Sequence, residues 1–110
     1  MQEYKIYIYT DNNGKMPFLE WLNSIKDKTI IRRINLRIDR LSLGNFGDTK
    51  SVGENLYELR LFFGSGYRVY YTIDNNTLVI LLSGGDKSSQ IEDIKQAKKY
   101  LQDYKGDKND

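Results

Sequence analysis

Two arginines on neighbouring predicted strands are the residues best placed to do chemistry in this sequence. Arg60 lies in the apolar and aromatic segment 56–63 and Arg68 in segment 67–73, with the turn residues Gly64-Ser65-Gly66 between them. These segments predict an antiparallel hairpin, and alternation along each strand puts both guanidinium groups on one face. Because guanidinium binds phosphate through paired hydrogen bonds, this spacing predicts an anion site.

The details of this site depend on strand register. A three-residue loop would pair Phe63 with Tyr67 and make the two arginines diagonal neighbours. Continuing the meander into the next strand would put Arg68 near Ser83, so that Lys87, in the loop that follows, can reach the same face. A slip of one residue in only one strand would instead put the two arginines on opposite faces.

Each of these residues also has an ordinary structural interpretation. Arg60 can pair with Glu58 or with another carboxylate, and Lys87 can be a simple loop lysine, since surface ion pairs are common. Glu58 is better suited to orient an arginine than to act as a base, and Asp86 suits a turn or cap. Tyr70 lies among the cations, where a tyrosine ring can stack on a base. Spacing alone leaves the structural and functional interpretations open.

A second cationic group lies on a predicted helix. Its apolar residues recur at steps of three and four: Ile31, Ile34, Ile38 and Leu41. Arg33, Arg37 and Arg40 fall at positions i, i+4 and i+7 of the same helix and form a basic stripe opposite the isoleucines. The stripe is either an RNA-binding surface or a solvated face.

Composition limits the possible chemistry. The 110 residues carry a net charge of +2, with no Cys and no His, which excludes disulfides, Cys/His zinc sites and Ser-His-Asp triads. No P-loop, dinucleotide fingerprint or calcium loop is present, so we expect neither a cofactor nor a metal. The sequence contains no apolar run of 18 residues and no leader, and we expect a cytoplasmic protein with no membrane contact.

The rest of the pattern predicts a sheet with three helices in a single domain. Strands are expected at 4–9, 56–63, 67–73 and 77–83, the last three as a meander with 77–83 central, plus a brief edge strand within 44–53. Helices are expected at 17–26, from a cap at Asp27 or Thr29 to a stop at Gly44, and after a cap at Ser88 or Ser89. The buried stripe of the last helix is predicted to be Ile91, Ile94, Ala97 and Leu101.

Four strings carry a resemblance to a known family. They are GNFGDTKSVG at 44–53, LYELR at 56–60, FGSGYRVYY at 63–71 and LLSGGDKSSQ at 81–90. Together they resemble the phage-derived addiction module killer proteins, a group close to HigB within the RelE/ParE toxin superfamily. The resemblance spans residues 3–101. It implies an α+β fold, RelE-like, with a helical hairpin on a curved, mainly antiparallel sheet. The residue pattern itself adds a C-terminal helix and predicts one domain over 1–104 with a solvated tail at 105–110.

The resemblance also implies a function. The chain would be the toxin of a type II toxin–antitoxin pair, whose partner is an antitoxin, often a helix-turn-helix protein encoded by the adjacent gene. RelE and HigB relatives cut mRNA in the ribosomal A site without metal, whereas ParE relatives inhibit DNA gyrase and lack the nuclease residues. Carried onto this chain, the nuclease pattern points to Lys50, Arg60, Arg68 and Lys87.

We therefore predict a metal-independent, ribosome-dependent endoribonuclease that leaves 2′,3′-cyclic phosphate ends. The relatives' His is missing, so the resemblance offers Tyr70, Tyr100 or Tyr104 for proton transfer. A gyrase inhibitor without catalysis and a chain that has lost activity are the alternatives.

Overall fold

The computed structural model describes the backbone of residues 2–109 and the side chains of residues 2–106. Met1 and Asp110, the outer ends of the predicted domain and tail, lie outside the described residues. The strands are β1 Lys5–Ile8, β2 Thr49–Ser51, β3 Tyr57–Leu61, β4 Tyr67–Asp74 and β5 Leu78–Asp86. The helices are α1 Pro17–Ser24, α2 Lys28–Ser42 and α3 Gln90–Asn109, the last preceded by a 3-10 turn at Lys87–Ser89.

The five strands form one sheet in the order β1-β5-β4-β3-β2. β1 runs parallel to β5, and the other neighbours are antiparallel. This is the mixed α+β, RelE-like architecture that the sequence predicts. The predicted meander, the interior position of β5 and the brief edge strand β2 are all confirmed.

Helices cover the sheet on both faces. α1 and α2 pack on one face around a core that includes Phe18, Ile34 and Leu59. α3 packs on the other face, where Ala97 and Leu101 meet Tyr70 and Leu82. No described helix has an apolar stretch long enough to cross a membrane.

The second helix begins and ends as its sequence predicts. The Asp27 carboxylate accepts a hydrogen bond from the Thr29 amide at 2.8 Å, so Asp27 is the cap. Gly44 follows the last turn with a φ of +82°, a conformation that favours glycine.

The start of the last helix differs from its prediction. Asp86, predicted as a turn or cap residue, caps the 3-10 turn before the helix and accepts a hydrogen bond from the Ser88 amide at 2.9 Å. Ile91 is 73% exposed, so its place in the buried stripe was wrong, whereas Ile94, Ala97 and Leu101 pack in the core as predicted. Residues 105–109, predicted as a tail, continue α3.

Strand register also differs from the prediction. Leu61 pairs with Tyr67, so residues 62–66 make a longer loop than the three predicted, and Arg60 lies directly opposite Arg68. β5 extends to Asp86, and an irregularity between Tyr70 and Tyr71 shifts its pairing. As a result Arg68 lies opposite Gly85, and Ser83 lies opposite Tyr70.

Gly84 is required by close packing of α1 on β5. A Cβ added at Gly84 would lie 2.2 Å from the Trp21 ring, which must then move. We expect Gly84→Ala to lower the free energy of unfolding by about 1–3 kcal/mol, the usual cost of overpacking. Urea denaturation followed by circular dichroism, with Trp21 fluorescence as a local reporter, measures this change.

The matched control is Gly106→Ala in α3, where an added Cβ has no atom of the described residues within 4 Å. This variant should be unchanged or up to about 1 kcal/mol more stable, since alanine is the better helix former. Equal losses in both variants would contradict the packing explanation.

Candidate active site

Two rows of side chains cross the sheet on the face that α3 covers. The first row is Arg60, Arg68 and Gly85. The second, one pleat along, is Lys50, Glu58, Tyr70 and Ser83. The two arginines therefore share a face as direct cross-strand partners, and the predicted common site is geometrically available.

Arg60 is held by a carboxylate from the edge of the sheet. Its Nη2 and Nε lie 2.9 and 3.3 Å from Oδ1 of Asp48, immediately before β2. The Arg60 side chain keeps 32% of its surface exposed, and its Cζ lies 5.5 Å from the Phe62 ring centroid. The carboxylate partner of Arg60 is therefore Asp48. Because both side chains are about one-third exposed, the ion pair lies within reach of solvent.

Arg68 is held more tightly. Only 10% of its side chain is exposed, its Nη1 donates to the Gly66 carbonyl at 2.9 Å, and its Nε lies 3.5 Å from Oε2 of Glu58. The Nε–Oε2 contact is an ion pair without hydrogen-bond alignment. Glu58 is thus placed where an arginine-orienting residue would be.

Glu58 is the buried centre of a polar cluster. Its Oε2 accepts from the Tyr70 hydroxyl at 3.1 Å and from Nε2 of Gln90 at 2.9 Å, while its side chain has no exposed surface. Three buried atoms of the cluster have no hydrogen-bond partner among the described residues: Glu58 Oε1, Arg68 Nε and Ser83 Oγ. Buried polar atoms are nearly always paired, so these three atoms are exceptions among the described residues.

Tyr70 is a donor inside this cluster and does not reach solvent. It is fully buried, and burial raises the pKa of its phenol, reinforced by the negative charge of Glu58 and its hydrogen bond. The prediction that Tyr70 contacts RNA is therefore corrected, because α3 covers the ring. A phenol with a raised pKa is also unsuited to act as a base near neutral pH.

The two lysines lie at the margins of the rows. Lys50 is exposed and lies directly opposite Glu58. Lys87 is exposed, and its Cβ and Arg68 Nη1 lie 3.4 and 3.6 Å from the position a Cβ on Gly66 would take. The Lys87 side chain and the Arg68 guanidinium thus both lie against Gly66.

The C-terminal tyrosines have other partners. The Tyr104 hydroxyl donates to Asp74 at 2.7 Å, and burial raises its pKa to about 12. Asp74 is six residues along β4 from Arg68, roughly 20 Å at strand spacing, so Tyr104 is too far to serve a phosphate at the arginines. Tyr100 packs on Tyr9, with ring centroids 5.3 Å apart.

The arginine stripe of α2 is only partly a solvated face. Arg33 and Arg40 are exposed, but Arg37 is half-buried and its Nη1 donates to the Arg60 carbonyl at 3.1 Å. Burial, reinforced by Arg40, lowers the Arg37 pKa. The three arginines line an open groove of about 420 Å³, together with Leu36, Leu61, Phe62 and Phe63.

Sequence reasoning missed Asp48, Gln90 and Phe62. Asp48 and Gln90 reach the arginine rows only through tertiary packing, and no local pattern marks them. Phe62 was predicted to lie in a strand. Its position close to the glycine-rich turn at 64–66 could have indicated that it lies in the loop. Within the described residues, no three Asp or Glu side chains cluster as a metal site would require.

The family model described as "Phage derived protein Gp49-like (DUF891)" matches residues 20–105, which include both rows and the arginine stripe. An uncharacterised protein of Haemophilus influenzae is 52% identical over 88 residues, covering 80% of this chain and 89% of the relative. The chain belongs to the Gp49-like family.

The Gp49-like family is a RelE/HigB-like toxin family associated with toxin–antitoxin systems. Membership implies an antitoxin partner. The two rows of side chains on the α3 face are the candidate active site of this Gp49-like chain.

Burial of Tyr70 has a consequence at alkaline pH. The unfolded chain loses this phenolic proton above its ordinary pKa of 10.0, whereas the folded chain keeps it, so the free energy of unfolding falls as pH rises above 10. We expect Tyr70→Phe to make this fall less steep. The slope of unfolding free energy against pH should decrease by up to about 1.4 kcal/mol per pH unit, the contribution of one proton. Urea denaturation at several values above pH 10 measures the slope.

Tyr71→Phe is the companion variant, because burial raises the Tyr71 pKa to about 12 and the flattening should then span pH 10 to 12. A Tyr70→Phe slope identical to that of the unmodified chain would contradict a protonated, buried Tyr70.

Proposed function

We propose that this chain is a toxin that cuts mRNA in the ribosomal A site as a metal-independent endoribonuclease. The observation that supports this most is the direct pairing of Arg60 with Arg68 on one face. Lys50 and Lys87 flank the pair. Four cations around one polar cluster match the needs of a reaction that builds negative charge at phosphorus.

The proposed reaction is an internal transfer. The RNA 2′-oxygen forms a bond to its own adjacent phosphorus, the bond from phosphorus to the 5′-oxygen breaks, and the products are a 2′,3′-cyclic phosphate and a 5′-hydroxyl. The 2′-hydroxyl loses a proton and the leaving oxygen gains one, so the proton count balances. Arg68 and Arg60 stabilise the phosphorane, and one such preorganised donor contributes about 3 kcal/mol.

Charge stabilisation carries most of the catalysis in this proposal. The Tyr70 phenol is buried with a raised pKa, and Tyr104 is bound to Asp74, so neither is a suitable base. Correct alignment of mRNA by the ribosome can contribute as much as a catalytic group, because it places the 2′-oxygen in line for attack. We therefore expect cleavage to depend on the ribosome, because the ribosome aligns the mRNA and the chain supplies the stabilising charge.

The proposed reaction on translating ribosomes also implies where the protein acts and which partner controls it. A toxin acting in the A site works in the cytoplasm, and the antitoxin we expect is a helix-turn-helix protein from the adjacent gene that blocks this surface or its access to the ribosome.

Arg68 is the residue whose loss should matter most. We expect Arg68→Ala to abolish growth arrest and A-site cleavage. Arg68→Lys, which keeps the charge beside Glu58 but loses the paired donors, should lower the cleavage rate by about 100-fold. Cleavage is measured on programmed ribosomes by mapping transcript ends, with circular dichroism to confirm folding.

Arg32→Ala is the matched control, an exposed arginine of α2 outside both rows and the groove. Full cleavage by Arg68→Lys would refute the assignment. Inhibition of gyrase-driven supercoiling without any cleavage would replace it with the non-catalytic alternative.

Asp48 competes with phosphate for Arg60. We expect Asp48→Asn to weaken this pairing and to raise affinity for RNA several-fold, since a neutral amide holds guanidinium less strongly. Asp39→Asn changes the net charge equally from an exposed position on α2, and it should change affinity little. Fluorescence anisotropy with a short RNA whose cleavage-site 2′-hydroxyl is removed measures both. Equal effects in the two variants would mean that only net charge matters.

A further inference from the structure

Phe62 is an exposed aromatic ring between the two cationic surfaces of the molecule. It lies in the loop that joins the strands of Arg60 and Arg68, and 75% of its surface is exposed. One side of the ring faces the Arg60 guanidinium, 5.5 Å away. The same residue lines the groove along α2. Phe62 therefore connects the candidate active site to the arginine stripe.

We propose that Phe62 stacks on a base of single-stranded RNA and that the α2 groove binds the phosphates beside that base. This inference rests on the proposed function, because it extends the same substrate beyond the scissile phosphate. It assigns to Phe62 the stacking role that burial denies to Tyr70.

The ring is well placed for stacking. A guanidinium beside one face of an aromatic ring restrains that ring without covering the other face. Bases stack on exposed aromatics regardless of sequence, and loss of one such contact weakens binding by about tenfold or more. A stacked base next to the scissile phosphate would also fix the strand relative to Arg60 and Arg68.

The groove has the charge that a nucleic acid strand requires. Among the described residues, its lining contains three arginines and no carboxylate. Arg33 is held over the Phe63 ring at 4.7 Å, and Nη2 of Arg37 is buried with no hydrogen-bond partner in the part of the chain that the structure describes. Arg33 and Arg40 are seven residues apart, about 10 Å along a helix, which is longer than one nucleotide.

Continuity with the arginine rows favours RNA over an acidic peptide. Arg37 donates to the backbone of Arg60, so the groove and the rows meet at one residue. A strand bound at Arg60 and Arg68 needs a path away from the scissile phosphate, and the groove supplies positive charge directly beyond Phe62.

The test uses the full chain and an RNA oligonucleotide with a 2′-deoxy cleavage site and 2-aminopurine beside it. We expect quenching of 2-aminopurine on binding. Phe62→Leu should weaken affinity by about tenfold and abolish the quenching, whereas Phe62→Tyr should keep both. Tyr7→Leu removes an exposed aromatic ring from β1, at the opposite edge of the sheet from β2, and should behave as the unmodified chain.

Salt dependence separates the two parts of the proposal. Arg40→Gln should reduce the slope of log affinity against log salt by about 0.7, the value for one phosphate of a single strand, while Phe62→Leu should leave the slope unchanged. An unchanged slope in Arg40→Gln would overturn the groove assignment.

Unchanged affinity and quenching in Phe62→Leu would overturn the stacking assignment. If that variant instead resists neutralisation by the antitoxin while binding RNA normally, the surface docks protein and the proposal is wrong. These outcomes are distinct from failure of the nuclease assignment, since full ribosomal cleavage by Arg68→Lys would refute that assignment whatever Phe62 does.

Discussion

The constraint on which the site depends is the register of β3 against β4, which puts two guanidinium groups directly opposite each other. Like charges in this position destabilise a sheet. Each arginine is therefore held by its own carboxylate: Arg60 by Asp48 from the edge of the sheet, and Arg68 by Glu58 from the neighbouring row. The two ion pairs point the guanidinium groups to different partners and keep them on one surface. The geometry resembles an anion site whose two halves are occupied by internal carboxylates.

The surrounding elements make this arrangement specific. α3 covers Tyr70 and brings Gln90 to Glu58, which fixes the carboxylate near Arg68. α2 brings Arg37 to the backbone of Arg60, so the end of β3 is hydrogen-bonded from outside the sheet. α3 thus supports Arg68 through Glu58, and α2 supports Arg60 through its backbone carbonyl. Arg68 is nearly buried beside Glu58, whereas the Arg60 side chain keeps about a third of its surface exposed beside Asp48.

The sequence predicts the faces of this site better than its contacts. A strand alternates with a period of two, and the loop between β3 and β4 takes two more residues than predicted, both from β3, so Arg60 and Arg68 kept a common face although their pairing changed. The burial of Tyr70 and the partnership of Arg60 with Asp48 depend on α3 and on the edge strand β2, elements distant in sequence. Ile91 shows the same limit at one position, because its spacing fits the stripe of Ala97 and Leu101 but it lies directly after the 3-10 turn and is exposed.

The unequal holding of the two arginines has a consequence for the proposed reaction. A phosphodiester carries one negative charge, and the phosphorane formed from it carries more, so its attraction for Arg60 grows as the reaction proceeds. Asp48 offers a competing carboxylate that discourages binding of the ground state. Transfer of Arg60 from Asp48 to phosphorus would then be favoured most in the transition state, which is the condition under which binding energy accelerates a reaction. Such a site would bind the phosphorane more strongly than the ground-state phosphodiester. Glu58 would meanwhile hold the Arg68 guanidinium in place throughout the reaction.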